Sequence, residues 1–422
     1  MAHETMRISD LCDFVGVQVD PANHADGVYV GLEHVASGRF LRSGEGKASD
    51  VLSGKYLFQV GDVLYGKLRP YLDKAVLATE SGICTTELLV LRPKEGVDPR
   101  FLVGVVHAPA FTEHAVAGTT GVQHPRTSWG HIAKFEIPTF DSEEQTKIAN
   151  LLWEVHEAIA SNEAAVEVGG DLKRAAMRAL FTKGLRGEAQ KETEIGLIPD
   201  SWELRPLGSF GRVGNGSTPK KSINGYWEGG NFPWLTSAKV YDRDIVSADQ
   251  FVTQEALEKC HLPIVEPGAI LVAITGQGKT LGNCAVLCMR ATINQHLAYV
   301  ATDLSLADPG YLRGYLETQY EYFRQVGGGG GSTKGALTCA FLRGVPIPCP
   351  PTLDEQREIV AVLDAIDRKI DLHHRKCAVL DELFKALLHK LMTGEIRVAD
   401  LDLSALSPDP ALSDSKTPEV AA

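Results

Sequence analysis

Apolar positions stepping alternately by four and three mark two stretches of the chain. In the later one, Ile359, Leu363, Ile366, Ile370, His373, Cys377, Leu380, Phe384, Leu387 and Leu391 follow a heptad seam, the spacing that keeps one helical stripe against a partner helix. The earlier stretch carries the seam at Ile148, Leu152, Val155 and Ile159, then weakens through Asn162, Gly169 and Lys173. Asp141 with Glu144, and Thr352 with Glu355, have capping-box spacing. Pro138, Pro348, Pro350 and Pro351 stand just before the helix starts, where a missing N–H costs little. The spacing predicts long helices over 141–182 and 351–396. At 1.5 Å per residue, each would run ~60 Å.

The two stretches are copies of one another. Glu144 and Gln145 match Glu355 and Gln356; Ile148, Leu152 and Ile159 match Ile359, Leu363 and Ile370. Leu172, Ala175, Leu180, Thr182 and Arg186 match Leu383, Ala386, Leu391, Thr393 and Arg397. The register stays constant throughout, which points to an internal duplication. The preceding regions echo each other more faintly. Val28 to Val35 resembles Pro233 to Val240, and the segment from Gly61 to Tyr65 resembles that from Gly268 to Val272. Short β-rich runs bounded by glycines follow in both, so each globular region reads as mixed α/β with many short strands.

The predicted organisation is two globular domains, 1–140 and 201–350, and two helical regions, 141–182 and 351–396. A linker is expected at 183–200. The tail 397–422, rich in acidic residues, Ser and Pro, reads as disordered. If the second helix returns along the first, the result is a pseudo-two-fold dumbbell with the helices antiparallel. Two similar domains on a rigid spacer suit a reader of two half-sites.

Composition narrows the class. The chain has 422 residues, with 44% hydrophobic and 23% charged content, values of ordinary globular proteins. No apolar run reaches the ~18 residues of a membrane span, and the start MAHETMRISD has no signal-peptide pattern; a cytoplasmic protein is expected. The eight cysteines form no CxxC pair, so reduced thiols and no metal site are expected. A net charge of −12 argues against nucleic acid as a partner for the chain as a whole. Basic groups clustered on particular loops are the more relevant test.

A specific resemblance appears in the second half. The segment GNGSTPKKSINGYWEGGNFPWLTSAKV, from Gly214 to Val240, resembles the opening of a target-recognition domain in type I restriction-modification specificity subunits. The link GLIPDSWELRPLGSF resembles the family's re-entry into its second such domain. So does the order of parts: a Gly-x-(Ile/Val)-Leu strand, a Gly-rich loop before Ile-Pro, an Asp-Glu-Gln helix, and a Phe-Thr-Lys-Gly or Met-Thr-Gly-Glu ending. The first domain lacks a GSTP-like opening. The resemblance implies two target-recognition domains joined by two conserved helical regions. It also implies a non-catalytic subunit that reads a bipartite, asymmetric site in double-stranded DNA. Its implied partners are two modification (methyltransferase) subunits and restriction subunits. S-adenosylmethionine, ATP and Mg would belong to those partners, with no cofactor in this chain.

Base readout needs polar and basic side chains on exposed loops. The first domain offers Lys67, Arg69 and Lys74 on one loop and Thr120, Gln123 and Arg126 on another. The second offers Lys220, Lys221, Lys239, Gln277, Lys279, Thr333 and Lys334, several of them beside glycines that allow close backbone approach. Each one alone also reads as a solvated surface residue. Glu144, Gln145, Glu355 and Gln356 are the candidate partner contacts on the helices.

Gly278-Lys279-Thr280 invites a nucleotide-binding reading, but Ala273 stands where a P-loop needs its first glycine. No Asp/Asn-Pro-Pro-Tyr/Phe motif, such as adenine methyltransferases use to hold a flipped base, is present. No catalytic residue is therefore assigned. A self-contained methyltransferase or nuclease, and a coiled-coil scaffold without a DNA role, are the alternative readings.

Overall fold

A computed structural model describes residues 4–276, 279–328 and 336–401. The chain divides into two compact units, one combining Met1–Ala164 with His374–Ala422, the other Ala165–His373. Each long helix contributes to both: the first spans Ser142–Lys183 and the second Leu353–Met392.

In the first unit a four-stranded antiparallel sheet runs in the order Cys12–Phe14, Leu88–Pro93, Val63–Gly66, Ala75–Leu77. Val63, Tyr65, Leu89 and Leu91 bury one face under helices Pro99–His107 and Pro109–Ala117. A second, five-stranded sheet contains one parallel pair, Val28–Val30 with Gly82–Cys84. The ribbon Thr5–Arg7 with Glu136–Pro138 leads into the long helix.

The second unit repeats this order. Its main sheet runs Gly211–Asn215, Leu297–Thr302, Ile270–Ala273, Cys284–Leu287, Asp244–Ile245. Its second, three-stranded sheet also holds a parallel pair, Phe232–Leu235 with Thr292–Ile293. Helices Pro309–Thr318 and Tyr320–Gly328 cover the main sheet, and the ribbon Glu203–Pro206 with Pro346–Cys349 precedes the second long helix. The duplication extends to the turns. Gly61 and Gly268, each two residues before the third strand in the order of its main sheet, sit at φ +86° and +89°, a conformation costly for side chains other than glycine. Asp98 and Asp308 each cap the first covering helix, accepting from Arg100 N and Gly310 N at 2.8 Å.

The helical seam forms as its spacing predicts. In the first unit Ile148, Leu152, Val155 and Ile159 share a core with Phe384, Leu388, Leu391 and Met392. In the second, Met177, Leu180 and Phe181 share one with Ile359 and Leu363. Within each unit the helices run antiparallel: Ile159 meets Cys377 in the first, while Gly169 meets Ile370 and Lys173 meets Asp367 in the second. The weak stretch of the seam has a packing reason. A Cβ on Gly169 would lie 2.7 Å from Ile370 Cγ1, so glycine is what lets the helices approach there. Lys173 Nζ stands 3.0 Å from the buried carboxylate of Asp367, which also pairs with Arg243 at 3.1 Å.

Two boundaries differ from the sequence expectation. Segment 183–200, read as a linker, contains a β-hairpin, Gln190–Thr193 with Gly196–Pro199, and Ile198 is buried in the second unit's core. The tail does not begin at 397, because Val398 is buried and Leu401 packs on the first unit's core. Residues 402–422, the rest of the predicted tail, lie outside the described residues. All eight cysteines are free thiols. No described helix is long and apolar enough to cross a membrane.

Candidate nucleic-acid interface

The two candidate loops of the first unit are joined through their backbones. Leu68 bridges Arg126, Arg69 N donates to Pro125 O at 2.7 Å, and Thr127 N donates to Lys67 O at 3.0 Å. Thr120 and Arg126 exchange both backbone hydrogen bonds, closing a tip that holds Gln123. Lys67, Arg69, Thr120, Gln123 and Arg126 are thereby brought onto one surface, with Tyr71 55% and Val122 100% exposed beside them. Arg69 and Asp73 are left-handed, at φ 52° and 48°. Such strain persists only where surroundings fix it. Here His107 Nδ1 lies 2.7 Å from Asp73 Oδ1, and Gly38 N donates to Asp73 O at 2.9 Å.

Lys67 makes no ion pair among the described residues, whereas Lys74 has an internal task. Its ammonium donates to Leu32 O at 2.6 Å from a half-buried position, pinning the loop to the turn that follows Val28–Val30 of the five-stranded sheet. Arg126 is held by Glu87: Nε donates to Oε2 at 2.9 Å and Nη2 to Oε1 at 3.1 Å. Hydrogen bonding to this carboxylate raises the Arg126 pKa further.

The second unit builds the same junction with different side chains. Lys67 N donates to Glu87 O at 3.0 Å, and Ile274 N donates to His296 O at 3.0 Å. Leu337 N donates to Ile274 O at 2.8 Å, and Thr275 bridges Ala336 as Leu68 bridges Arg126. Gln295 and His296 thus take the place of Thr86 and Glu87, ahead of the last sheet strand. Gln295 bonds to Thr218, His296 bonds to Thr275, and Gln295 Nε2 lies 3.2 Å from His296 Nε2. This chain of contacts ties the loop of Lys220 and Lys221 to the loop of Lys279. Lys220 and Lys221 are exposed. Trp227 Nε1 donates to Lys220 O at 3.3 Å. The Lys279 carbonyl accepts from Tyr320 Oη at 2.8 Å and Asn283 Nδ2 at 2.6 Å, while its side chain is exposed. Lys239 stands apart in character, because Asp242 and Asp249 neutralise it at 3.2 and 3.4 Å. Gln277, Thr333 and Lys334 lie outside the described residues.

Glu87, Gln295 and His296 were not singled out in the sequence. Their signal was positional: each precedes the closing strand, Leu-Leu-Val-Leu or Leu-Ala-Tyr-Val. Only the backbone junction shows that this position forms the floor between two loops.

The expected partner contacts need correction. Gln145, Glu355 and Gln356 are buried. Gln145 Nε2 donates to Phe140 O at 3.0 Å, Glu355 Oε1 accepts from Trp202 Nε1 at 3.3 Å, and Gln356 Oε1 accepts from Asp308 N at 2.9 Å. Their repetition reflects fastening of each helix start to its own unit. Glu144 remains half-exposed at a start capped by Asp141, whose Oδ1 accepts from Glu144 N at 2.8 Å.

Residues 199–382 match the family model of the type I restriction modification DNA specificity domain. The match falls on the second copy of a doubled scaffold that carries a paired-loop surface in each copy. The putative type I restriction enzyme MjaX specificity subunit of Methanocaldococcus jannaschii is 27% identical over 358 residues, covering 82% of this chain and 80% of its own. The MjaVIII specificity subunit of the same organism is 23% identical over 413 residues, 94% of each chain. The solved type I restriction-modification S subunit from M. genitalium superposes with a TM-score of 0.60 at 16% identity, over 93% of this chain and 96% of that one. Residues 199–382 thus carry the DNA specificity domain of type I restriction-modification systems, and most of the chain is similar to their specificity subunits, which supports a role in DNA sequence specificity.

Proposed function

We propose that the chain reads a bipartite, asymmetric site in double-stranded DNA, one half-site per unit, and presents that site to two modification subunits and to restriction subunits. The observation that carries this reading is the repeated junction: the same backbone bonds at Lys67–Glu87 and Ile274–His296 support unlike side chains. One scaffold made twice with different reading surfaces suits two different half-sites separated by a fixed gap. Methyl transfer and cleavage, with S-adenosylmethionine, ATP and Mg, are functions of the partners in this reading. This chain supplies recognition and assembly. Lys67, Arg69, Thr120, Gln123 and Arg126 face one half-site, with Lys220, Lys221 and Lys279 facing the other.

The partner surface proposed here replaces the buried Glu-Gln pairs. Val168, Leu172 and Ala175 on the first helix, and Val379, Leu383 and Ala386 on the second, are exposed and coincide in the repeat register. Core packing gives no reason for apolar residues repeated at exposed positions. Two copies of one partner do, since each would take the same short apolar patch.

The test is to exchange residues 201–350 for those of a relative and sequence the sites methylated by the assembled complex. One half-site should change and the other persist. An exchange that alters both together would refute independent reading. Leu172→Asp with Leu383→Asp should leave the chain folded but prevent it from retaining modification subunits on co-purification.

A further inference from the structure

The two units differ most sharply at one equivalent position. Opposite Leu68 the first unit has Arg126, whereas opposite Thr275 the second has Ala336. Arg126 is also unusually well oriented for an accessible side chain. Its five N–H donors can be followed individually. Nε and one Nη2 proton go to Glu87, and one Nη1 proton goes to His124 O at 3.1 Å. One donor remains on each terminal nitrogen. The Arg126 side chain is 42% exposed and that of Glu87 27%. The backbone beneath is fixed by the reciprocal bonds to Thr120 and by the Leu68 bridge.

Two parallel donors on a planar fork match the O6 and N7 acceptors of guanine in the major groove. A phosphate could accept the same fork. The neighbouring carboxylate would repel a phosphate, which favours a neutral base edge.

We propose that Arg126 reads a guanine in the half-site served by the first unit, with Glu87 as its positioning residue. The inference rests on the chain being a bipartite DNA reader and adds the base and the residues that read it. The second unit has no guanidinium at Ala336. There Gln295 and His296 present a different donor and acceptor set, so this guanine contact has no counterpart at the equivalent position of the second unit.

The experiment uses the complex reconstituted with its modification subunits, a library of randomised duplexes, and sequencing of the methylated products. Exchange of residues 201–350 first shows which half-site belongs to the first unit. The wild-type complex should require a G·C pair in that half-site. Arg126→Lys, which keeps the charge and loses the fork, should reduce discrimination at that one pair roughly tenfold or more, with the other half-site unchanged. Glu87→Ala should relax the same pair, although Arg126 keeps its charge. Unchanged thermal unfolding of Arg126→Lys separates loss of readout from loss of fold. If Arg126→Lys keeps every base preference, or if the relaxed pair is A·T, this inference is overturned while the bipartite reader stands. A wild-type complex that methylates no two-part site would overturn both.

Discussion

His156 makes the first unit sensitive to acid. Its ring is buried between the first long helix and Phe40, stacked on the Phe40 ring at 5.1 Å with 13° between planes. Phe40 N donates to His156 Nε2 at 3.0 Å, which fixes Nε2 as an acceptor and the ring as neutral. Burial lowers the pKa from 6.5 to about 4, helped by the nearby Arg39 charge. The unfolded chain takes up this proton below the ordinary value, while the folded chain resists it until about 4. Between those limits the unfolded state binds more protons, so the stabilisation is complete above pH 6.5 and is lost as pH falls toward 4. At about 1.36 kcal/mol per pKa unit, trimmed for residual solvent screening, the effect is roughly 2–3 kcal/mol over the whole window. The most local assay is amide exchange at Phe40, the donor itself, corrected for intrinsic rates. Its protection should fall roughly tenfold or more between pH 6.5 and 5. His156→Gln, whose amide oxygen can accept the same N–H without titrating, should flatten that dependence. Equal slopes in wild type and variant would refute the reasoning, as would a His156 that titrates near 6.5 in NMR.

Three further outcomes follow from burial. Asp367→Asn removes the buried carboxylate shared by Lys173, Arg243 and Arg313, which keep Glu317 and Asp244 as partners, and should lower urea stability of the second unit by about 1–3 kcal/mol; a change within experimental error would refute the pairing as structural. Leu388→Ala opens a cavity in the core that holds Leu152 and Met392, at a cost of about 2–5 kcal/mol in the first unit alone, measurable as a lowered denaturation midpoint for its peptides in pulsed proteolysis. Glu355→Lys puts a cation at a position only 1% exposed, beside Trp202. It should collapse the soluble yield, and a well-folded variant defective only in partner binding would restore the reading of Glu355 as a docking residue.

The sequence by itself determined the duplication, the two helices and their seam, because heptad spacing and repeat register are local patterns that survive without tertiary information. Ile148 to Ile159 and Ile359 to Leu391 were legible for that reason, as were the capped starts at Asp141 and Thr352. The resemblance to type I specificity subunits was legible from the same copies and from the opening at Gly214. Tertiary structure decided which way shared residues face. Gln145, Glu355 and Gln356 are polar and repeated, which in sequence reads as a surface, yet their hydrogen bonds to Phe140, Trp202 and Asp308 consume them inside. Leu172 and Leu383 are apolar and repeated, which reads as core, yet both are exposed. Repetition records a shared requirement but does not say whether packing or a partner imposes it. The loops show the same limit. Lys67, Lys74 and Lys239 look alike in the sequence; only distances to Leu32 O, Asp242 and Asp249 show that two of them are already engaged. Glu87 and His296 lie 209 residues apart in the chain and share a role that no side-chain similarity reveals, because the equivalence resides in backbone hydrogen bonds between segments remote in sequence.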